Sequence, residues 1–371
     1  NVLITGAAGF LGRNLSAWLG VQPSLRLLGY DREGGWPALA EGLAQADIVF
    51  HLAGINRPQT EQEFYTGNAE LTQQICTRLL ELGRPVPVVL SSSTQAELDN
   101  PYGRSKLEAE QALIRYAEAS GARVALYRLP NVFGKWCRPN YNSVVATFCH
   151  NIARNLPITI SDPARVLSLV YVDDIMRCFA GELNAARTGG VQRPEVTPVA
   201  QITLGDLAAQ LEAFRAIRST LLMPDLSDPF LRKLYATYLS YLPEDEFAYN
   251  LDRKCDPRGC LAEFVKHPAF GQIFVSRTAP GVTRGNHYHH TKNEKFLVLE
   301  GEAIIRFRRI EDDAVLDYRV SGAEMRVVDI PPGYTHSLEN VGAGELITLF
   351  WASEIFDPAQ PDTYALPVIS Q

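Results

Sequence analysis

Three side chains near position 100 carry the clearest chemistry in this sequence. Ser93 closes an apolar run, and Tyr102 and Lys106 follow in Pro101-Tyr102-Gly103-Arg104-Ser105-Lys106. The i, i+4 spacing puts Tyr102 and Lys106 on one face of a helix. Hydride reduction of a ketone leaves negative charge on the carbonyl oxygen, and that oxygen then needs a proton. A tyrosine, with an ordinary pKa of about 10, is a poor acid near neutrality. An ammonium close by favours the phenolate and eases proton exchange. A serine hydroxyl can hold the carbonyl in place. Ser93, Tyr102 and Lys106 are therefore the candidate group for redox chemistry at a carbonyl.

Such chemistry needs a hydride carrier, and the first residues offer a place for one. Gly6, Gly9, Phe10 and Gly12 stand in Gly6-Ala-Ala-Gly9-Phe10-Leu-Gly12, between a short apolar run and a helical pattern. Missing side chains let a pyrophosphate approach the backbone, and the helix N-terminus presents free N–H groups to it. Asp31 lies about 20 residues past the glycines, where a carboxylate binds the adenosine ribose of NAD. Arg32 follows it and can pair the 2′-phosphate of NADP. The two signals conflict; a biosynthetic reductase more often uses NADPH, so NADPH is expected, with NADH as the other choice.

A second constellation lies near the C-terminus. Four of the seven histidines sit in two short segments. One contains His287, His289, His290 and Glu294, and the other contains His336. Alternate strand positions face one way, so His287 and His289 can point into a barrel while His290 points out. With Glu294 and His336 they make three imidazoles and one carboxylate. That set suits Zn, Fe, Mn or Ni, with Zn the first expectation.

The elements that must position these residues change character along the chain. Up to about residue 243, strand-like runs at 2–5, 25–30, 47–53, 86–91 and 123–128 alternate with helical patterns at 12–19, 66–82 and 102–120. Alternation implies βαβ units, hence an α/β Rossmann-type doubly wound parallel sheet. Beyond it, short strands are expected at 272–276, 294–299, 303–308, 325–330 and 345–351, broken by Gly, Pro and charged turns. That pattern predicts an all-β jelly-roll domain. The expected domains are 1–245 and 246–371.

Composition bounds the function classes. The 371 residues are 46% hydrophobic and 21% charged, with net charge −7. No basic face is available to replace phosphate counterions, so nucleic acid is not an expected partner. No apolar run approaches the roughly 20 residues of a membrane helix, and no secretory signal is visible. The six cysteines, with no Cys-x-x-Cys pair, are expected to be reduced thiols in a cytoplasmic protein.

Several motifs resemble the extended short-chain dehydrogenase/reductase family. They are the Gly-x-x-Gly-x-x-Gly spacing, His51-Leu52-Ala53-Gly54 after Asp47, Asn68, the Tyr-x-x-x-Lys pair and Val172-Asp173-Asp174. The resemblance implies that Leu52, Ala53, Gly54, Tyr102 and Lys106 line the cofactor, and that Ser93, Tyr102 and Lys106 are catalytic. The 4,6-dehydratases of that family carry Thr-Asp-Glu where this chain has Ser93-Thr94-Gln95, so simple redox is preferred over loss of water. The segment 128–143, Arg-Leu-Pro-Asn131 through Asn142-Ser143, resembles the family's substrate region, with Asn131 and Asn142 as candidate contacts.

The histidine segments resemble both cupin motifs, except that Met325 stands where a glycine is expected. They also resemble the keto-sugar 3,5-epimerases, in which the histidine of Arg-Gly-x-His is a general base. His287 is thus a candidate catalytic base as well as a metal ligand. Over its full length the chain resembles the two-domain reductase/3-epimerases of capsule and O-antigen synthesis. This implies a UDP-2-acetamido-2,6-dideoxy-4-hexulose substrate, C-3 epimerisation before C-4 reduction, a 6-deoxy-L-talosamine-type product and a homodimer. Two alternatives stand beside it. In one, the chain is a C-4 reductase whose cupin is a metal-stabilised dimerisation module; in the other, the first half senses nicotinamide without turnover.

Overall fold

The computed structural model describes residues 1–369, which divide into two compact units. The first comprises Asn1–Glu212 and Pro229–Pro243; the second comprises Ala213–Asp228 and the chain from Glu244 onward.

Five strands of the first unit are β1 (Val2–Thr5), β2 (Leu27–Tyr30), β3 (Ile48–His51), β4 (Val88–Ser93) and β5 (Val124–Leu129). The short strands β6 (Asn131–Phe133), β7 (Val166–Tyr171), β8 (Val191–Gln192) and β9 (Ala200–Thr203) follow. The main sheet runs β2-β1-β3-β4-β5-β8 with every pairing parallel. Its strands are apolar on both faces because both faces are covered. Leu3, Val49, Leu90 and Leu126 pack on one side with Leu39, Leu79, Leu113 and Tyr116. Val2, Ile4, Phe50 and Tyr127 pack on the other with Leu15, Met176 and Phe179. Strand order reverses between β1 and β3, and in such sheets ligands bind at the carboxyl ends of the strands at that point.

The helices that matter for chemistry start at those ends. Helix α1 (Phe10–Leu19) follows β1, and α2 (Gly35–Gln45) follows β2. Helix α3 (Gln62–Phe64) passes through a π-helical turn, Tyr65–Glu70, into α4 (Leu71–Glu81). Helix α5 (Pro101–Ser120) begins with Pro101 in its first turn. The Asn100 side chain caps it, accepting from Gly103 N at 2.8 Å. Among the described residues, no helix is long and apolar enough to cross a membrane.

The second unit is antiparallel throughout its strands. One sheet joins β10 (Arg253–Asp256), β11 (Gly259–His267), β12 (Gly271–Thr278), β14 (Glu294–Glu300), β17 (Val327–Ile330) and β19 (Leu346–Ala352). The other joins β13 (Thr283–Tyr288), β15 (Glu302–Arg309), β16 (Val315–Ser321), β18 (Tyr334–Asn340) and β20 (Tyr364–Ala365). Phe296, Val298, Ile330 and Phe350 of the first sheet and Ile305, Phe307, Val320 and Leu338 of the second form one buried core. Ala213–Asp228 is tied to this unit by a bridge between Leu222 and Lys266.

Two expectations are corrected here. Cys255 and Cys260 are not free thiols: they lie opposite each other on β10 and β11, with Cα atoms 4.1 Å apart, and form a disulfide. A hairpin turn brings together two cysteines that a search for Cys-x-x-Cys passes over. Cys76, Cys137, Cys149 and Cys178 are free. The strand expected from residue 325 begins only at Val327, because Met325 has φ +49°. A side chain in that left-handed region costs about 1 kcal/mol or more, and glycine avoids it. Met325→Gly is therefore expected to raise the melting temperature of this unit by about 2–4 °C. A lowered melting temperature in calorimetry would refute the strain.

Candidate functional site

The glycine loop is built for close approach. Gly6 has φ +69°, and a Cβ there would lie 2.9 Å from the backbone of Ala53. A Cβ on Gly12 would lie 2.0 Å from the carbonyl oxygen of Gly6, so no side chain fits between loop and helix. No side chain caps α1, so its first N–H groups face outward at the switch point of the sheet. Asp31 directly follows β2 and accepts from Ala8 N through both oxygens, at 3.1 and 3.0 Å. Its carboxylate therefore stands at the loop, and Arg32 beside it is exposed.

Leu52, Ala53 and Gly54 leave β3 along the same edge. Leu52 N and Ala53 N donate to Thr5 O and Thr5 Oγ1, each at 3.2 Å. His51 turns into the protein, between Thr5 Oγ1 at 2.7 Å and Thr72 Oγ1 at 2.9 Å. Burial, with the charge of Lys106, pushes its pKa down to about 3, so it is neutral. A Cβ on Gly54 would lie 2.8 Å from Asn68 Oδ1 and 3.1 Å from Lys106 Nζ. The cofactor edge and the lysine are thus in contact.

Ser93, Tyr102 and Lys106 converge here. Ser93 ends β4, and its hydroxyl accepts from Gln95 N at 3.2 Å, close to the Tyr102 side chain. Burial raises the Tyr102 pKa, and the neighbouring Ser93 hydroxyl opposes that. Lys106 lies one turn along α5, buried, with Nζ donating to Ser91 O at 3.1 Å. Burial brings its pKa down to about 8 while the charge of Glu110 holds it up. Glu110 is one further turn along and 1% exposed. It accepts from Ser92 Oγ at 2.5 Å and from Arg128 Nη2 at 2.7 Å. The reading of the sequence missed Glu110, although its Lys-x-x-x-Glu spacing was visible. It also placed Asn68 at a helix start. Asn68 instead sits in the π-helical turn, bonded to both backbone groups of Ile55 and to Ser105 Oγ. Such turns recur at functional sites.

Asn131 and Asn142 are both exposed, on β6 and on the loop before the next helix. That loop is fixed from beneath by Tyr241, whose hydroxyl donates to Cys137 O at 2.6 Å, and by the Lys135–Asp173 pair at 2.6 Å. Tyr141 is flanked by the guanidinium groups of Arg57 and Arg138, at 5.9 and 5.2 Å from its ring centre.

In the second unit His287, His289, Glu294 and His336 come together, with their ligand atoms all within 4.8 Å of one another. A bulge between Gly285 and His287 places Asn286 at φ +59° and sets His287 opposite His336. Glu294 opens β14, and one of its oxygens lies 3.5 Å from His289 Nε2 and 3.6 Å from His336 Nε2. Burial pushes Glu294 up, but the two histidines beside it outweigh that and bring its pKa down to about 2. Burial first, then His336 and His289, takes His287 down to about 4. His289 Nε2 and both ring nitrogens of His336 are buried without hydrogen-bond partners. Buried polar atoms are rarely left so. Atoms of this kind, beside an ionised carboxylate, fit a divalent cation. His290 points out, its ring 4.7 Å from that of Tyr364. Arg284, also missed, has Nη2 buried and unpartnered.

Comparison with known proteins follows the same division. Residues 2–194 match the model of the NAD dependent epimerase/dehydratase family, and residues 254–364 match the polysaccharide biosynthesis C-terminal domain. The chain is 45% identical over 367 residues to the UDP-2-acetamido-2,6-beta-L-arabino-hexul-4-ose reductase of Pseudomonas aeruginosa, covering 99% of this chain and 98% of that protein. It superposes on the capsular polysaccharide assembling protein CapF of Staphylococcus aureus with a TM-score of 0.91. Identity there is 47%, with 99% of this chain and 100% of that one covered. The structure of MoeE5 with UDP-glucuronic acid and NAD shares 57% of this chain and 81% of its own, at 21% identity and TM-score 0.52. That level of likeness is a likeness of fold.

Proposed function

Because the chain belongs to the NAD dependent epimerase/dehydratase family, we propose that it is a two-site nucleotide-sugar enzyme. It epimerises C-3 of a UDP-2-acetamido-2,6-dideoxy-4-hexulose in its C-terminal unit. It then reduces C-4 in its N-terminal unit, giving a UDP-N-acetyl-6-deoxy-L-talosamine-type product for capsule or O-antigen. The observation that carries the reading is that Tyr102 stands by Ser93 while buried Lys106, one helical turn on, stands by Gly54. The name of the full-length Pseudomonas aeruginosa relative supports the substrate class.

The chain's own residues divide the work. The backbone around Gly6, Gly9, Phe10 and Gly12 would hold a pyrophosphate, and Leu52, Ala53 and Gly54 would line the rest of the dinucleotide. Asp31 supports NADH, since a carboxylate accepts from a ribose diol and repels a 2′-phosphate. Arg32 supports NADPH, and the relative oxidation rates of the two decide between them. When bound, the reduced nicotinamide would supply hydride to C-4, and a divalent cation held by His289, Glu294 and His336, with Zn the first candidate, would supply polarisation of a substrate oxygen. Ser93 holds the C-4 oxygen and Tyr102 gives it a proton, while the Lys106 ammonium steadies the phenolate left behind. His287 removes the C-3 proton from one face, and a solvent proton is added to the enolate on the other. Asn131 and Asn142, with Arg57 and Arg138 around Tyr141, would meet the nucleotide sugar. We read the assembly as a cytoplasmic homodimer.

The reading is tested by incubating the protein with the 4-hexulose in deuterated water without nicotinamide, then adding NADPH or NADH. Deuterium entering C-3 and subsequent oxidation of cofactor are expected. Oxidation without exchange would leave a C-4 reductase with a structural C-terminal unit.

Lys106 gives a pH test of the first site. Reduction should fall as pH rises through about 8, where the ammonium is lost. Glu110 holds that pKa up, so Glu110→Gln should move the falling limb to lower pH. A limb that stays in place would remove Glu110 from the mechanism.

A further inference from the structure

The chain end lies against the histidine cluster. Residues 361–368 are held by side chains from several strands: Arg308 donates to Val368 O and Pro367 O, each at 2.9 Å. Leu366 N and Val368 N bond to Asn286, at its carbonyl oxygen (2.9 Å) and its Oδ1 (3.1 Å). The strand β20 pairs with β13 beside His287 and Tyr288. Asp362 sits at the tightest point of this strap, with φ +37°. Its carboxylate accepts from three successive backbone N–H groups, His290 at 2.9 Å, Thr291 at 2.9 Å and Lys292 at 2.8 Å, and from Thr291 Oγ1 at 3.0 Å. Its backbone carbonyl oxygen lies 2.5 Å from Nδ1 of His289. Lys292, 5% exposed, closes the arrangement by donating to Pro361 O at 2.8 Å and Thr363 Oγ1 at 3.0 Å.

A carbonyl oxygen only accepts. His289 must therefore carry a proton on Nδ1, and in the neutral ring Nε2 keeps its lone pair. That lone pair is the one facing Glu294, buried and without a hydrogen-bond partner. We propose that Asp362 is a positioning residue: by seating its carboxylate on the 290–292 amides, it holds the backbone carbonyl that fixes the tautomer and ring orientation of His289 for cation binding. The inference rests on the reading of the cluster as a cation site. The carbonyl is main chain and survives substitution, so it is the seat that can be removed. Groups that orient a metal ligand from behind are worth about 10–100-fold in affinity.

The test uses the full chain, stripped of metal, with Co²⁺ as the probe. Titration against a competing chelator is compared for the natural sequence, Asp362→Ala and Asp362→Asn. In parallel, ¹⁵N NMR reads the His289 tautomer without metal. The natural sequence should take up one Co²⁺ and show the Nδ1–H form. Asp362→Ala should bind about 10–100-fold more weakly and lose the single tautomer. Asp362→Asn, which keeps one acceptor, should recover part of both. Unchanged affinity in a cooperatively melting Asp362→Ala protein overturns the proposal. If the natural sequence binds no Co²⁺, the cation reading fails. The tautomer then decides the strap separately: its loss in Asp362→Ala upholds the positioning, and its retention overturns it.

Discussion

Tyr102→Phe should lower the kcat of ketone reduction about 10²- to 10⁴-fold, the usual contribution of a positioned proton donor. The substitution removes one oxygen. The ring stays where it is, packed on Phe64 with centroids 5.6 Å apart, so no cavity opens and the fold should lose no more than about 1 kcal/mol. KM should change little, because in the proposed reading the nucleotide sugar is held by other residues. The loss therefore belongs to the step in which charge develops on the C-4 oxygen. Deuterium exchange at C-3 needs no hydride and should proceed at the rate of the natural sequence. Turnover within a few-fold of normal would mean that another group protonates the oxygen. The convergence of Ser93, Tyr102 and Lys106 would then be without catalytic meaning.

That convergence was legible because its parts are local. The glycine loop occupies one strand-to-helix turn, and Tyr102 and Lys106 lie one helical turn apart, so residue type and spacing carry the geometry. The parallel sheet and the antiparallel second unit were legible from the alternation of periods for the same reason. What escaped was long-range or depended on a single backbone angle. Glu110 meets Arg128 across 18 positions and Asp362 meets His289 across 73, distances at which no periodicity speaks. The π-helical turn at Tyr65–Glu70 changes which side chains reach the cofactor edge without changing the apolar pattern. The pairing of Cys255 with Cys260 depends on a hairpin register, which hydrophobicity did not reveal. The motif expected glycine where Met325 stands, but hydrophobic patterning alone placed it in a strand until its φ was known.

His287→Ala should abolish C-3 exchange, a loss of about 10²- to 10⁴-fold for a missing general base, yet leave the C-4 reduction of an already epimerised ketone intact. The separation follows from the chemistry of the sugar. A proton on C-3 is acidic only while C-4 is a ketone, since the carbanion is then an enolate; reduction at C-4 ends that acidity. Epimerisation must come first, and a chain carrying both sites can act in only one order. The same variant separates the two roles open to His287. His289, Glu294 and His336 remain, and three protein ligands suffice for a catalytic cation. Exchange lost with Co²⁺ binding kept, the expected result, makes His287 the base. Loss of both makes it a ligand. Exchange at the natural rate would place the C-3 base elsewhere and leave the histidine cluster with a structural task.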